Sequence, residues 1–87
     1  MRVQLHPHTL ARMRERGATE SEVLGTIETG DRIAARCGRV GFRKVFPVHR
    51  RARSGAKELI VRAVPAVDGW LVLTVVVVRG APKEAQP

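Results

Sequence analysis

Thr19-Glu20-Ser21-Glu22-Val23-Leu24-Gly25-Thr26-Ile27-Glu28-Thr29-Gly30-Asp31-Arg32-Ile33-Ala34-Ala35-Arg36 contains a change of period that organises the whole chain. Thr19 and Glu22 have the capping-box spacing, in which each side chain satisfies a free backbone N–H of the other. Val23, Leu24 and Ile27 recur at helical spacing as an inward face, and Gly30 is a fitting stop just after the helix. Beyond Gly30 the apolar period falls from 3.6 to 2. Arg32–Arg36, Gly41–Val48, Lys57–Val64 and Trp70–Val78 are therefore expected as strands.

Toward the N-terminus, a first helix is expected from Pro7, a good first-turn residue, to just before Gly17. Leu10 and Met13 form its buried stripe, while His8, Arg12, Glu15 and Arg16 share the opposite face. At about ten residues, neither helix is stable without a partner. Toward the C-terminus, Cys37-Gly38-Arg39 signals a turn, and the Asp68-Gly69 pair favours a tight hairpin between the third and fourth strands. Residues 49–56 read as a basic flexible loop, and Pro47 removes a ladder donor, so the second strand frays or meets the sheet edge there. Leu71–Val78 is apolar on both faces and is expected to be a central strand, covered by helices on one side. The expected fold is α+β: two N-terminal helices, then a four-stranded antiparallel sheet with the helices packed on one face and the other face free to carry arginines. Residues 1–79 make one domain and 80–87 a flexible C-terminal tail.

With 87 residues the chain has room for one core. An apolar share of 44% is that of a globular domain, and with Phe42, Phe46 and Trp70 the only aromatics, the core is aliphatic. Cys37 is alone, which excludes an internal disulfide and a cysteine-rich zinc site. No apolar run approaches the roughly 20 residues of a membrane helix, and no signal peptide is read at the start, so a cytoplasmic protein is expected. The net charge of +8 is unevenly placed. Residues 1–29 and 63–87 each balance to zero. Residues 30–62 carry Arg32, Arg36, Arg39, Arg43, Lys44, Arg50, Arg51, Arg53, Lys57 and Arg62 against Asp31 and Glu58, which is the whole excess. A concentrated block of this kind attracts phosphates, so a polyanion, RNA above all, is the expected partner.

His8 stands one helical turn before Arg12, and Arg16 follows one turn later. An imidazole that titrates near neutrality beside two guanidinium groups suits proton transfer next to a held phosphate. A solvated face on which Glu15 pairs with nearby arginines is the plainer account of the same residues. His6 and His8 have a His-x-His spacing, but too few carboxylates surround them, and no metal or other cofactor is expected. Thr74, the one hydroxyl in the apolar last strand, is expected to bond to neighbouring backbone. Glycines are too scattered for a phosphate-cradling loop, and no serine or cysteine triad is visible.

The stretches His8-Thr9-Leu10-Ala11-Arg12-Met13-Arg14-Glu15-Arg16-Gly17, Glu22-Val23 with Ile27 and Gly30, Gly38–Phe46, Lys57-Glu58-Leu59 and Asp68–Val75 together resemble a bacterial domain family. Its members open on a His-x-x-x-Arg-Met-x-x-Arg-Gly helix, and the resemblance covers most of residues 5–78. That family is distantly similar to the BrnT- and RelE-like ribonuclease toxins. The resemblance implies a RelE- or barnase-like fold and metal-independent RNA cleavage through attack of the ribose 2′-hydroxyl. It implies His8 as base or acid, and Arg12, Arg43 and Lys57 as phosphate and transition-state contacts. Arg16, Arg36, Arg39, Lys44, Arg50, Arg51, Arg53 and Arg62 are then the expected nucleic-acid contacts, and an acidic antitoxin-like protein a possible partner. A non-catalytic nucleic-acid-binding module, or a basic domain that docks an acidic protein, would show the same charge pattern.

Overall fold

The computed structural model describes residues 1–50 and 53–80, the side chains of 49–54 excepted. The element order is β1 (Arg2–Leu5), α1 (Pro7–Arg16), α2 (Glu20–Thr29), β2 (Asp31–Ala34), β3 (Val40–Arg50), β4 (Arg53–Ala66) and β5 (Gly69–Arg79). The fold is α+β, with two helices on one face of a sheet ordered β1-β5-β4-β3-β2. The sheet has five strands and is mixed, because β1 joins its edge parallel to β5 while every other pairing is antiparallel. That corrects the expected four antiparallel strands. Arg2, Val3, Gln4 and Leu5 do alternate polar and apolar, but four residues are too short a run to announce a strand.

Both helices form where their caps place them. His6 caps α1, its Nδ1 accepting from the His8 N–H at 3.1 Å, and Gly17 ends it in the left-handed conformation at φ 81°. The reciprocal Thr19–Glu22 capping box opens α2, with bonds of 3.0 and 3.1 Å. Gly30 does end α2, but in an extended conformation. A Cβ there would lie 2.6 Å from the Arg43 carbonyl oxygen, so close strand packing, and no left-handed turn, requires glycine.

Leu59, Val61 and Ala63 of β4 pair with Val77, Val75 and Val72 of β5 and, on the other side, with Lys44, Phe42 and Val40 of β3. This face lies under the helices, and with Met13, Ala18, Val23 and Ile27 it builds the core. β5 is interior and β4 is the middle strand, so the expectation that Leu71–Val78 is central holds only in that both its flanks have neighbours. The uncovered face carries Arg43 and Arg62, as expected, but also Val45, Ile60, Val64, Val76 and Val78, so it is more apolar than an arginine face. Val45 is 47% exposed and Val78 36%.

Two local expectations change, and a third, that the strand meets the sheet edge at Pro47, holds. The predicted loop at 49–56 is paired strand over 49–50 and 53–56, because β3 and β4 run on past their outer neighbours as a two-stranded ribbon. Residues 49–56 have no apolar alternation to reveal it. Pro47 sits beyond the reach of β2, which pairs only with Val40–Arg43, so its missing N–H faces no strand. Finally, Ala34 ends β2, and Arg36 starts a turn closed by Arg39 N–H to Arg36 O at 3.2 Å, with Cys37 at φ 59° and Gly38 at φ 73°. Residues 81–87, most of the expected tail, lie outside the described residues.

Candidate active site

β1 leaves the sheet at Leu5, opposite Val72, and the chain turns into α1. From that point α1 takes over from β1 as the neighbour of β5. The Thr9 hydroxyl donates to the Leu73 carbonyl at 3.2 Å, and Arg16 Nη1 donates to the Val75 carbonyl at 2.8 Å. Arg79 Nη2 returns the tie, donating to the Arg16 carbonyl at 2.8 Å. The register jumps at the same level. Arg62 faces Thr74 and Ala63 faces Val72, which leaves Leu73 as the extra residue of a bulge. The bulge shifts the phase of β5, so Val72 and Val75 are both buried on the helix side.

Helix, edge and bulge enclose a cavity of about 210 Å³ lined by His8, Thr9, Arg12, Arg16, Leu73, Thr74 and Val75. Side chains of α1 at positions 8, 12 and 16 follow one another at one-turn spacing, so an imidazole and two guanidinium groups face the same opening. Arg16 has five N–H donors; anchoring one on Val75 fixes the guanidinium and leaves the others for a ligand. Thr9 is buried and holds the helix to the bulge, a role absent from the sequence reading. Its signal was the position one turn before Met13 on the inward face.

Arg43 and Lys57 do not join this group. Arg43 lies on the uncovered sheet face, where its Nε meets Glu58 Oε2 at 2.6 Å. Lys57 lies on the helix face with its side chain 11% exposed, and its Nζ donates to the Gly17 carbonyl at 3.0 Å and meets Glu22 Oε2 at 2.8 Å. Gly17 closes α1 and His8 opens it, so the helix rise separates them by about 13 Å. Burial alone would push the Glu22 carboxyl up. The hydrogen bonds from Lys57 and the Thr19 N–H, with the Lys57 charge, outweigh it and hold the group below its ordinary value.

The remaining expected contacts divide. Lys44 is on the helix side, bonded to the Thr29 hydroxyl and near the Phe46 ring, 5.5 Å from its centroid. Arg36, Arg39 and Arg62 come together around a second cavity of about 450 Å³, completed by Ala34, Ala35 and Cys37. Arg51 lies outside the described residues, as do the side chains of Arg50 and Arg53. Among the described residues no group of three His, Cys, Asp or Glu side chains is placed to hold a metal, and no helix is long and apolar enough to cross a membrane. Comparison with protein-family models, with curated proteins and with solved structures gives no match to this chain.

Proposed function

We propose that this chain is a small endoribonuclease of the bacterial toxin type that cleaves RNA without a metal. The observation that carries the reading is the cavity in which His8, Arg12 and Arg16 face one opening at the bulged edge of the sheet. In the proposed reaction His8 takes the proton of a ribose 2′-hydroxyl, and the 2′-oxygen bonds to the adjacent phosphorus. The bond from phosphorus to the 5′-oxygen breaks, that oxygen takes a proton from water or from the imidazolium, and a 2′,3′-cyclic phosphate remains. Arg12 and the anchored Arg16 offset the charge that builds on the phosphoryl oxygens, where preorganised donors count most. The resemblance of residues 5–78 to the BrnT- and RelE-like group supports the same chemistry. Arg16 takes the place that the resemblance gave to Arg43 and Lys57, both of which are engaged in ion pairs.

The test is cleavage of labelled total RNA in EDTA by wild type and by His8→Ala. Wild-type cleavage that falls at least about a hundredfold in the variant is the expected result for loss of a general acid–base group. Cleavage unchanged by His8→Ala would remove the histidine from the mechanism. A second reading, a non-catalytic RNA-binding module, is favoured by the Arg36–Arg39–Arg62 cluster, which holds cations with no carboxylate in its lining. It gives salt-sensitive binding by both proteins and no cleavage by either. The same cations suit an acidic partner protein, which would then compete with RNA for them.

A further inference from the structure

The two cavities share no lining residue, but one residue of each stands beside the other on the uncovered face of the sheet. Thr74 lines the His8 cavity, Arg62 lines the arginine cavity, and the two residues are register partners on neighbouring strands. Directly opposite residues in an antiparallel pair have Cβ atoms about 5 Å apart. The next partner of Arg62 across the sheet is Gly41, over which the Ile33 side chain packs, and Arg62 itself lines the cavity of the Arg36–Arg39 turn. The Thr74–Arg62 pair thus links a row of groups across the strands, with His8, Arg12 and Arg16 at one end and Arg36 and Arg39 at the other.

No carboxylate lines either cavity. The carboxylates of the uncovered face, Asp31 and Glu58, both sit at Arg43, Asp31 as its register partner and Glu58 as its ion-pair partner. Neither ion pair among the described residues involves Arg36, Arg39 or Arg62. No Phe or Trp ring lies on the row, since Phe42, Phe46 and Trp70 all belong to the helix face. Between the His8 end and the arginine turn, the row thus offers guanidinium groups to a chain of phosphates and no Phe or Trp ring as a stacking platform.

We propose that Arg36, Arg39 and Arg62 form a second phosphate subsite, and that one single-stranded RNA crosses the sheet from it to the His8 cavity. This rests on the RNA reading above and adds the path of the strand. Backbone contacts without stacking make the path indifferent to base identity, so any cleavage preference belongs to the His8 end.

The test uses a mixed-sequence 12-nucleotide single-stranded RNA with a fluorescent end, and anisotropy titrations over a range of salt. Arg62→Gln and Arg36→Gln are expected to weaken binding about fivefold to tenfold at low salt. Each should reduce the salt slope by about 0.7, the value for one phosphate contact on a single strand. Arg14→Gln, which removes an equal charge from α1 outside both cavities, is expected to leave the slope unchanged. Cys37 gives an independent readout, because it is exposed, is the only cysteine, and lines the arginine cavity. Saturating RNA should slow its alkylation by iodoacetamide severalfold. If wild type binds the RNA but Arg62→Gln and Arg36→Gln behave like Arg14→Gln, or Cys37 reacts at its free rate, the path is wrong and the RNA reading stands. If wild type binds no RNA even at low salt, the RNA reading fails and takes the path with it.

Discussion

Glu22 shows how much one side chain does in a small fold. It closes the capping box of α2 and receives Lys57, whose Nζ also reaches the end of α1, so a single carboxylate ties both helices to β4. The pH dependence follows from the direction of its shift. Its folded form titrates below the ordinary value of 4.5, so its stabilisation is present above that pH and is lost as pH falls through the folded value. Melting temperatures measured from pH 7 down to pH 3 should show wild type above Glu22→Gln at neutral pH, with the gap closing on acidification. Parallel curves would mean that the Glu22 carboxylate contributes nothing by being charged. The role of Lys57 was half legible. Its strand phase put it with Leu59, Val61 and Ala63, an apolar set that marks the covered face and so argues against an open catalytic position. What the sequence does not contain is the distance to Glu22, 35 positions away.

Among the elements, the helices were the most legible, because caps are local chemistry. Thr19, Glu22, Pro7 and Gly17 stand where the backbone needs them. β1 and the bulge in β5 were not legible, for different reasons. β1 exists only because a partner 67 residues later accepts it, through the pairing of Arg2 with Gly69. The bulge lies within Leu71–Val78, where apolar residues on both faces leave the pleat without a visible phase. Gly69 is the point at which β1 can be tested as an element. A Cβ there would lie 1.8 Å from the Arg2 carbonyl oxygen, and the Arg2 N–H donates to the Asp68 carbonyl at 2.7 Å. Gly69→Ala must therefore push β1 off the sheet or distort the hairpin, at a cost of about 2–3 kcal/mol typical of overpacking. Urea unfolding should show that loss, and amide exchange of Val3 and Leu5 should quicken. Unchanged protection would mean that β1 tolerates the methyl group.

At the scale of the whole molecule, the two faces of the sheet are unequally treated. One is roofed by helices and fully dry at Leu59, Val61 and Val72, while the other leaves Val45 and Val78 open beside arginines. Replacing both with lysine should raise the solubility limit in concentrated solution, while stability changes by no more than about 0.5 kcal/mol per site. Light scattering against concentration, read with thermal melts, separates the two effects; a large fall in melting temperature would show that these valines support the fold. The class of fold was legible because a helix-period stretch followed by strand-period stretches has few compact solutions. The candidate site was legible in part. His8, Arg12 and Arg16 share a helix face, whereas Thr74 comes near them, and Arg62 beside Thr74, only through strand register. The bond from Thr9 to Leu73 spans 64 positions, and that separation orders events in time. During synthesis the growing polypeptide carries its histidine and both arginines long before β5 exists to complete the cavity around them. Closing so long a loop is among the slower steps of folding. A nascent chain thus lacks the finished cavity, and any chemistry that the cavity supports begins only after almost all of the described fold has been made.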